Sequence, residues 1–136
     1  MIKVILYFAF GIAVLQYTAH TILFLTSKPK HGQDEIVLIN AMKSNHWNFG
    51  GFKRSYWNFY FGGGLIAILF GLFEISILLL LLIIPPDSLY IIKPLIAIVI
   101  VSNILHGIIS IKYFFLLPVL FDIIIAVLLI IAFVHI

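Results

Sequence analysis

His20, Glu74, His106 and Asp122 sit inside runs of residues that are otherwise almost entirely apolar. An imidazole can give, take or hold a proton near neutral pH, and a carboxylate can stabilise developing positive charge. These four are therefore the candidate catalytic residues, and acid-base exchange is the chemistry they offer. Gln16 and Asn103, amides in the same runs, are candidates for hydrogen-bonding a ligand without reacting with it. His46, Arg54, Tyr56, Trp57, Asn58 and Tyr60 complete the candidate ligand-binding set, with Arg54 suited to an anionic headgroup. The absence of cysteine removes disulfides, thiolate metal sites and thiol nucleophiles. No H-E-x-x-H pair or carboxylate cluster indicates a metal, and no serine has a recognisable nucleophile context, so no metal is expected and hydrolysis is disfavoured.

The elements that must position these residues follow from composition. Of the 136 residues, 64% are hydrophobic and only 10% charged, and the mean hydropathy is +1.26, which no soluble domain of this length shows. A hydrocarbon core of about 30 Å requires roughly 20 apolar residues per helix. Four segments meet that length, at about 3–26, 57–84, 91–111 and 113–135. Backbone polar groups in lipid must be paired internally, which leaves helices or closed barrels, and the period-two alternation of a barrel strand is absent. The expected fold is all-α: a single domain over 1–136, an integral membrane four-helix bundle with a short interfacial helix in the first loop. The first run is too long for a signal peptide and carries Gln16 and His20, so it reads as a span.

The net charge of +3 is read as topology and not as nucleic-acid binding. Lys28, Lys30, Lys43, Lys53, Arg54 and Lys112 fall on one side of the membrane, and Lys3 and Lys93 on the other. The positive-inside rule places loop 27–56 in the cytoplasm and both termini outside a multi-pass protein of the cell membrane.

Spacing then orders the polar residues. Gln16 and His20 are four apart and share a helix face, as do Ser102, Asn103, His106 and Ser110. His20 and His106 each lie about six residues from the loop end of their spans, or roughly 9 Å deep. Gln16, Asn103 and Asp122 lie about nine or ten residues in, on the order of 14 Å. Two layers are expected, the deeper approached by Glu74 from the other side, beneath a mouth formed by Arg54 to Tyr60. Pro118 is expected to free the Phe114 carbonyl and bend span four below Asp122. Gly63, Ala67 and Gly71 repeat every four residues, a stripe that admits a close neighbour and offers a homo-oligomer contact.

The long loop divides in two. Asp34 and Glu35 open, and Lys43 closes, a short apolar segment whose charges suit a helix dipole, and its apolar residues place it in the interface or across the bundle mouth. The aromatic stretch from Asn45 to Tyr60 follows, and Gly50-Gly51 lets the chain fold back there. Within it Phe49, Gly51, Arg54-Ser55-Tyr56-Trp57, Phe59-Tyr60, Gly62 and Gly64 resemble the R-S-Y-W-x-F-Y signature of a family of small, uncharacterised bacterial four-span membrane proteins. His20 and Tyr113-Phe114-Phe115 fit the same pattern. The resemblance covers nearly the whole chain and implies an architecture but no activity. An acid is usual in that family where this chain has Asn58.

Three function classes remain open. The residues favour a protein that binds, or acts on, a small lipophilic molecule in an intramembrane polar pocket, among membrane lipids. The alternative is a membrane subunit or proton- or ion-conducting protein, with Asp122 and Glu74 along the path. A third class makes His20 and His106 the axial ligands of a haem, although a second bis-histidine pair is missing.

Overall fold

The computed structural model describes residues 2–85 and 87–136. Five helices and one hairpin follow in the order α1 (Ile2–Thr26), α2 (Gln33–Ser44), β1 (His46–Phe49), β2 (Phe52–Ser55), α3 (Tyr56–Ile83), α4 (Leu89–Tyr113) and α5 (Leu116–Val134). Among them α1, α3, α4 and α5 are long and apolar enough to cross a membrane. Their outer faces remain apolar: Phe70, Phe73 and Ile83 are 68%, 67% and 70% exposed. Lipid, not water, suits such faces, because burying them is what the hydrophobic effect would otherwise demand.

The chain divides into two compact units. The first holds Met1–Ala19 and Gly71–Ile136. In it α1, the second half of α3, α4 and α5 contribute to one apolar core, in which Ala9, Ala13, Leu78, Ile96, Ile125, Leu129 and Ala132 are fully buried. Gly71 is buried against the Tyr17 ring, and a methyl group there would overlap that ring. Part of the glycine stripe is therefore filled within the chain, while Gly63 faces open space.

The second unit is His20–Phe70. Phe24 fills the space beside Gly64 and stacks near Phe61, with ring centroids 5.4 Å apart. The α2 helix buries none of its side chains. Its N-terminus lacks a side-chain cap at Gly32, and Glu35, in the first turn, reaches back to accept the Lys30 and His31 N–H groups at 2.6 and 2.7 Å. Two backbone donors hold that carboxyl below the usual carboxylate range, the His31 bond contributing more than the Lys30 bond.

The aromatic stretch forms a β-hairpin, which helix-based reading of the loop did not anticipate. Phe49 pairs with Phe52 across Gly50-Gly51, whose φ values of 59° and 89° are both positive. A two-residue turn of that hand matches the twist of the strands and favours glycine at both positions. Asn48 Oδ1 accepts the Gly51 N–H at 2.9 Å and closes the turn.

Two expectations about the end of the chain are corrected. Span four begins at Leu116, not 113, because α4 continues through Ser110, Ile111 and Lys112 to Tyr113. Phe114 and Phe115 make the link between the helices. Pro118 therefore sits in the first turn of α5, where its missing N–H has no intrahelical acceptor to lose, and it bends nothing. Its ring would clash with a helical carbonyl at Phe114, which explains why the helix starts where it does. The proline inside a helix is Pro94 of α4, which leaves the Tyr90 carbonyl without its usual donor. Of the expected proline turn, Pro86 lies outside the described residues, while the Ser88 N–H bonds the Pro85 carbonyl at 3.0 Å.

Candidate functional site

Four helices of the first unit each send polar side chains into the apolar core. From α1, Gln16 Nε2 donates to Asp122 Oδ1 of α5 at 3.0 Å. From α4, His106 Nδ1 lies 2.8 Å from the other oxygen, Oδ2. Asp122 is only 2% exposed, whereas the His106 side chain is 40% exposed. Next to Gln16, Tyr17 donates its hydroxyl to Glu74 Oε2 of α3 at 2.8 Å. Asn103 Nδ2, one helical turn before His106, donates to Glu74 Oε1 at 2.7 Å and to the Val99 carbonyl at 2.9 Å.

Local sequence explains this convergence. Gln16 and Tyr17 are adjacent in α1, so one turn of helix supplies a donor to each carboxylate. Asn103 and His106 are three apart on one face of α4 and do the same from the other side. Each carboxylate is thus held at both oxygens, the arrangement that permits an acid to remain deep in an apolar core. The proton between His106 and Asp122 has two homes. On Nδ1 it is donated to the carboxylate by a ring that is neutral unless Nε2 is protonated as well, and on Oδ2 it is donated by the carboxyl to the ring nitrogen.

The expected two-layer order changes with the corrected start of α5. Asp122 lies about six residues into its helix, or roughly 9 Å, level with His106 and not with the deeper amides. Asp122 joins the upper layer to Gln16 of the lower. Glu74, Asn103, Gln16, Asp122 and His106 are brought together, and Tyr17 joins them. Sequence reasoning passed over Tyr17 because tyrosine in a span usually reads as an interface residue, although its place beside Gln16 was available as a signal.

The remaining candidates belong to the second unit. His20 stacks on Phe24, with centroids 6.1 Å apart and planes 7° from parallel. His46 Nδ1 lies 2.9 Å from the Ser44 carbonyl, so that nitrogen carries the proton. Arg54 donates to the Lys53 carbonyl at 3.1 Å and lies over the Phe52 ring. Trp57 receives the Lys43 ammonium 4.4 Å from its ring centroid and packs against Tyr60 at 5.3 Å. Tyr56 meets Trp47 edge-on at 4.9 Å, and Phe59 meets Phe49 in the same way at 4.8 Å.

Asn58 has a structural role at the join of hairpin and helix. Its Oδ1 accepts from the Ser55 N–H at 2.8 Å and from the Ser55 hydroxyl at 3.1 Å, while its own N–H donates to Ser55 Oγ at 3.4 Å. This is a reciprocal capping box at the start of α3, in which the fourth position is commonly acidic or an amide. An acid at position 58 would serve the same cap.

The first unit also contains an apolar hollow of about 230 Å³, lined by Ile2, Leu6, Leu81, Ile92 and neighbours together with Lys3 and His135. It lies toward the start of α1, about ten residues from Gln16 and so roughly 15 Å along the helix. Comparison with family models, curated proteins and solved structures gave no match for this chain.

Proposed function

We propose that this chain is an integral membrane protein in which His106, oriented by Asp122, binds or exchanges a proton with the polar group of a small lipophilic molecule. Its four long helices form the transmembrane bundle, α2 lies in the interface, and loop 27–56 faces the cytoplasm.

One observation carries the reading: a half-exposed imidazole hydrogen-bonded at 2.8 Å to a carboxylate that is 2% exposed. A buried acid fixes the ring's orientation, while the open part of the ring stays available to a partner. Gln16 holds the second oxygen of Asp122 and keeps the pair from rotating. Apolar helix faces would take the body of an amphiphile.

Native mass spectrometry of protein extracted from membranes tests this. The wild-type chain should retain a lipid or other small amphiphile, and His106→Ala and Asp122→Asn should each lose most of it. Lys93→Ala, whose ammonium lies 5.7 Å from the Phe133 ring, should retain it fully. Equal retention in all four proteins overturns the reading. A reporter fused after Ile136 should give a signal from outside the cytoplasm.

A further inference from the structure

We propose that the β1–β2 hairpin is a docking element for anionic phospholipid. It lies along the first turns of α3 with its turn pointing the way the helix runs, sets Phe49 and Phe52 at the edge of the hydrocarbon, and gathers headgroups on Lys43, Lys53 and Arg54. The inference rests on α3 crossing a membrane and is independent of the chemistry at His106.

The direction of the hairpin follows from its register and its ring contacts. Residues opposite one another in an antiparallel ladder share a face, so Trp47, Phe49, Phe52 and Arg54 share one. On that face Trp47 meets Tyr56 at 4.9 Å and Phe49 meets Phe59 at 4.8 Å. Tyr56 and Phe59 are three apart on one side of α3, so moving along β1 toward the turn is moving along α3 toward its interior. The Gly50-Gly51 turn therefore lies level with Phe59 or beyond it, not out in water above Tyr56.

Two lengths set the depth. At 1.5 Å per residue the 28 residues of α3 run to about 42 Å, against a hydrocarbon thickness of about 30 Å. The excess of roughly eight residues falls at the start of the helix, because residues 77–83 are all Ile or Leu whereas Tyr56, Trp57, Asn58, Phe59 and Tyr60 suit an interface. The hairpin thus stands in the headgroup layer. Its backbone requires the same place: a lone two-stranded ladder turns alternate N–H and C=O groups outward, which water and phosphate can satisfy and hydrocarbon cannot. Phe52, 64% exposed, is left to meet the acyl boundary.

Charge names the partner. Between α1 and α3 stand five cations, Lys28, Lys30, Lys43, Lys53 and Arg54, and two acids, Asp34 and Glu35. The acids open α2, eight or nine residues before Lys43, so roughly 12 to 13 Å away and beyond the screening length of about 8 Å at physiological salt. Lys43 Nζ lies 4.4 Å from the Trp57 ring centroid, and the Arg54 guanidinium 5.3 Å from that of Phe52. Among the described residues the one ion pair is His106 with Asp122, so Lys43, Lys53 and Arg54 have no carboxylate partner. Cations left unneutralised at headgroup depth attract the phosphates of an anionic leaflet, whereas a zwitterionic headgroup already carries its own cation.

The test uses the full chain in bilayer nanodiscs, with Trp47→Phe and Trp57→Phe, which keep a ring at each position, and one reporter tryptophan. Phe52→Trp carries it in one protein and Phe73→Trp, at a 67% exposed position, in another. Quenching is measured with phosphatidylcholine and phosphatidylglycerol brominated near either the headgroup end or the methyl end of the chain. Headgroup-end bromines should quench position 52 more strongly, and methyl-end bromines position 73. In equal mixtures with one lipid brominated, phosphatidylglycerol should quench position 52 as though enriched about fivefold, the preference that one basic side chain at such a surface gives. Lys53→Gln with Arg54→Gln should bring the two lipids close to parity, and molar salt should do the same. Equal quenching by the two lipids at position 52 overturns the headgroup assignment. Stronger quenching there by methyl-end bromines, or none by either, overturns the placement of the hairpin when position 73 behaves as expected. Absence of quenching at position 73 means that α3 does not cross, and then the spanning reading falls together with this one. Loss of amphiphile retention in His106→Ala has no bearing on the preference at position 52.

Discussion

Gln16 and Asp122, 106 residues apart in the chain, meet through a 3.0 Å hydrogen bond inside an apolar core. The bond ties α1 to α5, and through the second carboxylate oxygen it ties both to His106 of α4. In lipid there is little hydrophobic force between helices, so such bonds and close packing supply much of the association energy.

A double-mutant cycle measures that tie. Gln16→Leu and Asp122→Leu should couple by about 0.6 to 1.7 kcal/mol, the range found for interhelical bonds in membranes. Unfolding in detergent mixtures gives the number. Strictly additive losses would mean that the two side chains act separately.

Gly71 makes a second test, because its missing side chain is what admits the Tyr17 ring. Gly71→Ala should cost about 1 to 3 kcal/mol by overpacking and should break the Tyr17 to Glu74 bond. Gly63→Ala, with nothing within 4 Å of the added methyl, should be neutral or slightly stabilising. Midpoint shifts of the two variants in one detergent decide the matter, and equal shifts would count against the tight contact at Gly71.

The capping box predicts a sharp difference between substitutions at position 58. Ser55→Ala should destabilise the start of α3 by about 0.5 to 2 kcal/mol, and Asn58→Leu should do likewise. Asn58→Asp keeps the Oδ1 acceptor of both bonds and adds negative charge at a helix N-terminus, so it should hold or gain stability by about 0.3 to 1 kcal/mol. Amide exchange in the first turn of α3 reports each change, and a loss in Asn58→Asp would refute the capping role.

Outside the spans, Glu35 gives a pH dependence of known sign. Its folded-state pKa is lowered, first by the His31 N–H and then by the Lys30 N–H. The contribution is therefore fully present above the ordinary carboxylate value of about 4.3 and is lost as pH falls through the depressed folded value. The Lys30 and His31 amide shifts should titrate together below pH 4.3 or so and stop titrating in Glu35→Gln. A midpoint at or above the ordinary value would contradict the two bonds.

Composition alone determined that the long helices exist, because runs of some 20 apolar residues leave little other than a helix to pair their backbone groups. Four of the five helices were placed within a few residues of their observed ends. Helical spacing also put Asn103 with His106 on one face, and Glu74 and Asp122 as acids needing partners, since period and burial cost are local properties of a chain. The pairing itself was decided in three dimensions. Which amide meets which acid depends on how four helices are rotated about their axes, and apolar residues all around those helices leave no moment to read. The start of α5 was missed because Tyr113, Phe114 and Phe115 are as apolar as the helices they separate. The hairpin was missed because its aromatic residues also suit an interface. Tyr17 shows the difference most plainly: its sequence says only that it follows Gln16, and the packing of α1 against Gly71 of α3 is what delivers its hydroxyl to Glu74.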